Sequence, residues 1–85
     1  MQVTVHLFAQ ARDLAGRREV TVEVTPASGT IATVADLKRA LAAACPALAP
    51  LVPHLLTAIG GDYAKPSQPL PPLAEIACFP PVSGG

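Results

Sequence analysis

Two stretches near the start of the chain alternate apolar and polar residues, and this pattern constrains the fold more than any other feature. In Gln2 to Phe8, Val3, Val5 and Leu7 fall on one face, with Gln2, Thr4, His6 and Phe8 on the other. In Arg18 to Thr25, Val20, Val22 and Val24 stand opposite Glu19, Thr21, Glu23 and Thr25. A period of two belongs to a strand with one buried face, so both stretches are expected as half-buried strands. Between them, Ala9 to Ala15 has helix-forming composition, and Gly16 is placed to cap a short helical turn. So short a connection makes the second strand antiparallel to the first.

The period then changes. Pro26 to Ala32 reads as loop, with a turn at Ser28-Gly29. Thr33 is placed to cap a helix, and Asp36 three residues later approximates a capping box and sits well at the positive helix end. Val34, Leu37, Leu41 and Ala44 recur at helical spacing and form the stripe to be buried, and Pro46 ends the helix near Ala44. Pro50 and Pro53 keep the next stretch irregular. Leu55 to Ile59 is a third strand, followed by a tight turn at Gly60-Gly61-Asp62. Four prolines (Pro66, Pro69, Pro71, Pro72) limit the next segment to a short edge piece. Glu75 to Phe79 is the last strand, with Ile76 and Cys78 on one face and Ala77 and Phe79 on the other. A right-handed crossover through the helix sets the last strand beside the first and parallel to it. The expected class is α+β: a β-grasp mixed sheet over residues 1–79, one main helix on one face, and an extended tail over 80–85.

Composition narrows the function. The chain has 85 residues, 51% hydrophobic and 14% charged, which suits one domain with a real core and not a disordered segment. Net charge is zero, so there is no basic footprint for nucleic acid or a membrane surface. No apolar run approaches the ~20 residues of a membrane span, and the first residues do not resemble a signal peptide. Cys45 and Cys78 are too few for a disulfide framework or a zinc site, so a reducing cytoplasm and two ordinary buried thiols are expected. The sequence has no serine–histidine–acid spacing, no phosphate loop and no metal-ligating cluster, so no metal is expected. His6 and His54 read as exposed or structural histidines, and Arg17-Arg18 as a solvated strand end. Arg12 and Asp13 read as a surface pair, with recognition charges as the alternative. Catalysis by this chain alone is not expected.

The last seven residues are Phe79-Pro80-Pro81-Val82-Ser83-Gly84-Gly85. Proline bars helix and sheet pairing, so Pro80 and Pro81 should launch extended chain. Six residues reach at most roughly 20 Å, at about 3.3 Å each. Two glycines without Cβ atoms can lie in a channel too narrow for any side chain, with a carboxylate at the tip. The alternative is a frayed end that the fold does not need. The three aromatic residues add to the first reading. Phe8 and Phe79 fall on the polar parity of their strands and Tyr63 follows a turn, so neighbouring first and last strands would bring Phe8 and Phe79 together as an exposed docking patch.

The run Leu7-Phe8-Ala9-Gln10-Ala11-Arg12-Asp13-Leu14-Ala15-Gly16 and the ending Phe79 to Gly85 resemble the small subunit of molybdopterin synthase. That sulfur-carrier family (MoaD-type) is related to the thiamine sulfur carrier (ThiS-type) and to ubiquitin, and the resemblance spans the whole chain. It implies that the Gly85 carboxylate is adenylated by an E1-like adenylating enzyme (MoeB-type) using ATP. A sulfur donor would then convert it to a thiocarboxylate, which enters the large subunit of molybdopterin synthase (MoaE-type) and gives its sulfur to a pterin precursor. It further implies that Gly84 is the other half of the diglycine, that Phe8, Tyr63 and Phe79 contact partners, and that the chain binds no cofactor. Adenylation supplies the leaving group that a carboxylate lacks, and a thiocarboxylate is an ionised, soft nucleophile suited to building a dithiolene. The chain departs from the family in having Gly60-Gly61 after the third strand and Pro71-Pro72-Leu73-Ala74 before the last. Three other readings stay open: a ubiquitin-like modifier joined to lysines through Gly85, a carrier of the thiamine pathway, or an interaction module with an idle tail.

Overall fold

Valine against valine closes the first hairpin. β1 (Gln2–Leu7) and β2 (Glu19–Glu23) run antiparallel, with Val3 opposite Val22 and Val5 opposite Val20. Those four side chains and Leu7 are buried, while Gln2, Thr4, Glu19, Thr21 and Glu23 are exposed, as the alternation requires. The computed structural model describes residues 1–27, 29, 31–72 and 75–81, so Ser28 of the expected turn lies outside the described residues.

Phe8 leaves the ladder earlier than its parity suggests and occupies the N-cap position of α1 (Ala9–Ala15). Ala9 turns the chain there with φ of 52°, a left-handed conformation that costs a residue with a Cβ about 1–2 kcal/mol. Gly16 ends the helix as expected, donating its N–H to the Arg12 carbonyl at 2.9 Å.

α2 (Val34–Ala44) carries the expected capping box. The Asp36 N–H donates to Thr33 Oγ1 at 3.4 Å, and Asp36 Oδ2 accepts from the Thr33 N–H at 2.9 Å. Asp36 is itself buried and also accepts from the Ala27 N–H at 3.3 Å and from the Arg39 guanidinium. It therefore ties the helix start to the loop leaving β2. Val34, Leu37 and Leu41 are buried as expected, but Ala44 is exposed. At about 100° per residue, the next inward position after Leu41 is Cys45, which is half-buried against the core.

Hydrogen bonds from the Thr33 backbone, foremost, hold the Asp36 carboxyl below its ordinary value, against the opposing effect of burial. Thr33 Oγ1, the Ala27 N–H and Arg39 add to the downward shift. A lowered folded-state pKa gives stability that is complete above the unfolded value of about 3.9 and is lost as pH falls through the folded value. The melting temperature of the unaltered chain should therefore drop below pH about 4 more steeply than that of Asp36→Asn, which starts lower at neutral pH. Thermal scans from pH 2 to pH 7 giving parallel curves for the two proteins would rule this out.

The stretch expected to be irregular forms two single turns of 3-10 helix, Pro46–Leu48 and Val52–His54. Proline is tolerated at the start of such turns because the missing N–H has no acceptor to lose. The turns deliver Leu48 and Val52 to the core. β3 (Leu56–Ile59) then forms a hairpin with β4 (Asp62–Ala64). Its two-residue loop, Gly60-Gly61, has φ of 59° and 91°, the doubly positive pattern that matches strand twist and that glycine adopts without strain.

The edge strand thus precedes the proline-rich segment instead of lying within residues 66–72. That segment has a different task. Its Pro66 and Gln68 carbonyls accept from the N–H groups of Ala35 and Val34, which have no acceptor within the helix. Leu70 is buried, and its N–H donates to the Ala32 carbonyl at 2.9 Å. β5 (Ile76–Phe79) runs through the middle of the sheet, parallel to β1 and antiparallel to β3, giving the order β2-β1-β5-β3-β4. This is the β-grasp arrangement, with α2 on one face and the other face open.

Candidate carrier tail and docking face

The open face is polar on one half and apolar on the other. Register fixes which residues share it. His6 pairs with Ala77, Ala77 with Ala58 and Ala58 with Tyr63, which sets these four in one row across β1, β5, β3 and β4. In the next row Phe79 pairs with Leu56. On the β2–β1 side the face carries Glu19, Thr21, Glu23, Gln2 and Thr4, with the Thr4 and Thr21 hydroxyls 2.9 Å apart and His6 Nδ1 3.5 Å from Glu19 Oε2.

Among the large apolar side chains exposed in the described residues, Phe8 at 49%, Leu56 at 37% and Tyr63 at 72% belong to this side of the sheet. Phe79 is half-buried, and its ring lies 5.9 Å from that of Tyr63 at an interplanar angle of 55°, a favourable tilted pair. The aromatic contact expected between Phe8 and Phe79 is thus made to Phe79 by Tyr63. The glycine hairpin folds β4 back beside β3 and brings Tyr63 to that position. Phe8 donates its N–H to the Cys78 carbonyl at 3.3 Å and lines a hollow of about 290 Å³ with His6, Ala58 and Ala77. Leu56 was missed from the sequence, where it is one of two adjacent leucines. Leu55 is buried and Leu56 exposed, and the pairing with Phe79 decides between them.

Phe79 makes the last pair of β5, with Leu56. Pro80 is half-buried and Pro81 exposed. The predicted tail residues Val82, Ser83, Gly84 and Gly85 lie outside the described residues. β1 and β5 are parallel, so the C-terminal ends of both strands, and with them Phe8 and Pro80, lie at one end of the sheet.

The other candidates stand outside the apolar half of the open face. His54 is exposed on its 3-10 turn, and Asp62 closes the hairpin against Ile59. Arg12 is exposed, with its Nε 3.9 Å from Asp13 Oδ1, a surface pair worth about 0–1 kcal/mol. Cys78 is buried 3.6 Å from Thr57 Oγ1, and burial pushes its thiol pKa up, which keeps it protonated and a poor nucleophile. Cys45 is half-buried, short of the burial expected for both thiols. Among the described residues no three His, Cys, Asp or Glu side chains are grouped to hold a metal ion, and no helix is long and apolar enough to cross a membrane.

Comparison with known proteins agrees with this geometry. The sequence profile of the ThiS family matches residues 5–85. A molybdopterin synthase sulfur carrier subunit from Chlamydomonas reinhardtii is 36% identical over 87 residues, covering 100% of both chains. Its counterpart from Caenorhabditis briggsae is also 36% identical, covering 100% of this chain and 99% of that one. Among solved structures, SAMP1 from Haloferax volcanii superposes with a TM-score of 0.82 at 34% identity, covering 100% of each chain. A putative molybdopterin converting factor subunit 1 from Pyrococcus furiosus has a TM-score of 0.77 at 25% identity, covering 95% of this chain and 98% of that one. In sequence and in fold, therefore, the chain belongs to the ThiS family of ubiquitin-like sulfur carriers.

Proposed function

We propose that the chain is the sulfur-carrier small subunit of molybdopterin synthase. The observation that carries this reading is the end of β5: among the described residues sheet pairing ends at Phe79, next to the apolar half of the open face, and in the sequence two prolines and then a diglycine follow. The full-length similarity to carrier subunits of that synthase supports it over a carrier of the thiamine pathway.

In this reading the folded part is a handle. Phe8, Leu56, Tyr63 and Phe79 dock on a partner, and Pro80 and Pro81 hold the tail off the sheet so that Gly84 and Gly85 can enter a narrow channel. In an E1-like adenylating enzyme the Gly85 carboxylate attacks the α-phosphate of ATP and displaces pyrophosphate. Sulfide supplied by a sulfur donor then attacks the acyl carbon, expels AMP and leaves a thiocarboxylate. In the large subunit of molybdopterin synthase that sulfur passes to a pterin precursor. Acid, base and metal groups for these steps belong to the partners; this chain contributes the acyl terminus and the surface that aims it.

The similarity to SAMP1, which belongs to the small archaeal modifier proteins, favours one second reading, a modifier joined to lysines through the same acyl-adenylate. Mass spectrometry separates the two. After incubation with the E1-like enzyme, ATP and a sulfur donor, the chain should gain the mass of one oxygen exchanged for sulfur, located at Gly85. Lysine-linked adducts without that exchange would replace the carrier reading with the modifier.

A further inference from the structure

Half of the cations in this neutral chain meet at one place. Six lysines and arginines balance six aspartates and glutamates. Arg12, at the end of α1, comes together with Arg17 and Arg18, at the entry to β2, around an open hollow of about 340 Å³. Asp13 is the one carboxylate among its lining residues. All three arginines are exposed, and the single ion pair of the group, Arg12 with Asp13, is a loose one at 3.9 Å. In sequence Arg12 and the Arg17-Arg18 pair look like separate surface charges. The left-handed turn at Gly16 folds them onto one another.

The position of this cluster is set by the sheet. The Leu7 N–H donates to the Arg18 carbonyl at 2.7 Å, and Leu7 pairs with Cys78 on its other side. Arg18, Leu7 and Cys78 therefore form one rung. Strands stand about 4.8 Å apart, so the Arg18 backbone is about 10 Å from the last residues of β5, where the tail begins. The arginines and the C-terminal end of β5 share one end of the sheet, while Glu19 and Glu23 lie on the polar half of the open face.

We propose that Arg12, Arg17 and Arg18 form a docking site for an acidic rim on the protein that receives the tail. The inference rests on the sulfur-carrier reading and specifies its partner: a receiving protein with carboxylates beside the channel mouth, roughly one strand-pair width from the channel axis. Exposed charges of this kind act mainly on the rate and orientation of encounter and little on the lifetime of the complex. A chain without net charge can still gain direction from such a local concentration of positive side chains.

The test is the association rate of the full chain with the large synthase subunit, measured by stopped-flow mixing across a range of salt concentrations. Arg17→Glu/Arg18→Glu should associate about tenfold or more slowly at low salt and lose most of the salt dependence, with dissociation and melting temperature nearly unchanged. Arg17→Gln/Arg18→Gln should fall between, which guards against a folding defect in the charge-reversed protein. Equal rates and equal salt slopes for all three proteins would overturn the inference and leave the carrier reading standing. Variants that change affinity for a DNA duplex but not for the large subunit would also overturn it. Failure of the unaltered chain to bind the large subunit would overturn the carrier reading and this inference with it.

Discussion

A chain lacking Gly85 should melt at an unchanged temperature, still bind the large synthase subunit and transfer sulfur about 10²-fold more slowly or worse. That is the expected outcome of removing the acyl group while keeping the handle. The described core runs from Val3 to Cys78, and the last paired residue among those described is Phe79. Without Gly85 the chain would end on Gly84, with its carboxylate one residue short of the reacting atoms. Misplacing a reacting group by a single ångström costs about 10²-fold, and a residue of extended chain spans about 3.3 Å, so transfer should fall by at least that factor. Sulfuration of a pterin precursor by the reconstituted complex measures it. Phe79→Ala should do the converse, weakening association while leaving the tail chargeable, because the ring anchors the Tyr63 pair on the docking face. If the Gly85 deletion kept normal transfer, the acyl-carrier role would have to be given up.

Leu41→Ala should remove a large share of the fold's stability. Leu41 is 0% exposed, in the middle of the stripe that α2 turns toward the sheet. Truncating a buried leucine costs about 2–5 kcal/mol, through lost transfer energy and the cavity left behind. Small domains have only about 5–15 kcal/mol in total. At about 4–8 °C per kcal/mol, the melting temperature should fall by roughly 10–30 °C. Ala44→Ser, one turn further on, should move it by about 2–4 °C at most, because Ala44 is exposed. Thermal unfolding of the two variants side by side checks the assignment of the buried stripe. A comparable loss at both positions would mean that the helix faces the sheet differently.

Both strands of the first hairpin, the cap of α2 and the parallel pairing of β5 with β1 were legible in the sequence. Each follows from a local period or a short-range partner: the alternating valines, Thr33 with Asp36, and the single helix between the hairpin and the last strands. The misplacements came where long-range contacts decide. Nothing local tells that Tyr63 belongs to a strand, since β4 is three residues long and exists through its ladder with Thr57, Ala58 and Ile59. Ala44 and Cys45 are both small and apolar, and only the phase of the helix against the sheet selects Cys45. For the candidate site, the proposed tail chemistry rests on residue types alone, at positions outside the described residues. The apolar half of the open face was legible in part: Phe8 and Tyr63 are exposed there and Phe79 half-buried, but Leu56 was not foreseen, nor the convergence of Arg12 with Arg17 and Arg18, which needs the turn at Gly16.

The carbonyls of Pro66 and Gln68 complete the first turn of α2 from a distant part of the sequence. An excised peptide spanning the helix would therefore lack two of its acceptors and fray from that end. The proline run works as a buckle and not as a spacer, so inserting residues there would be felt first in the amide exchange of Val34 and Ala35, and only afterwards in the neighbouring strands. Helix and strap stand or fall as one cooperative unit, although neither touches the other in the primary sequence.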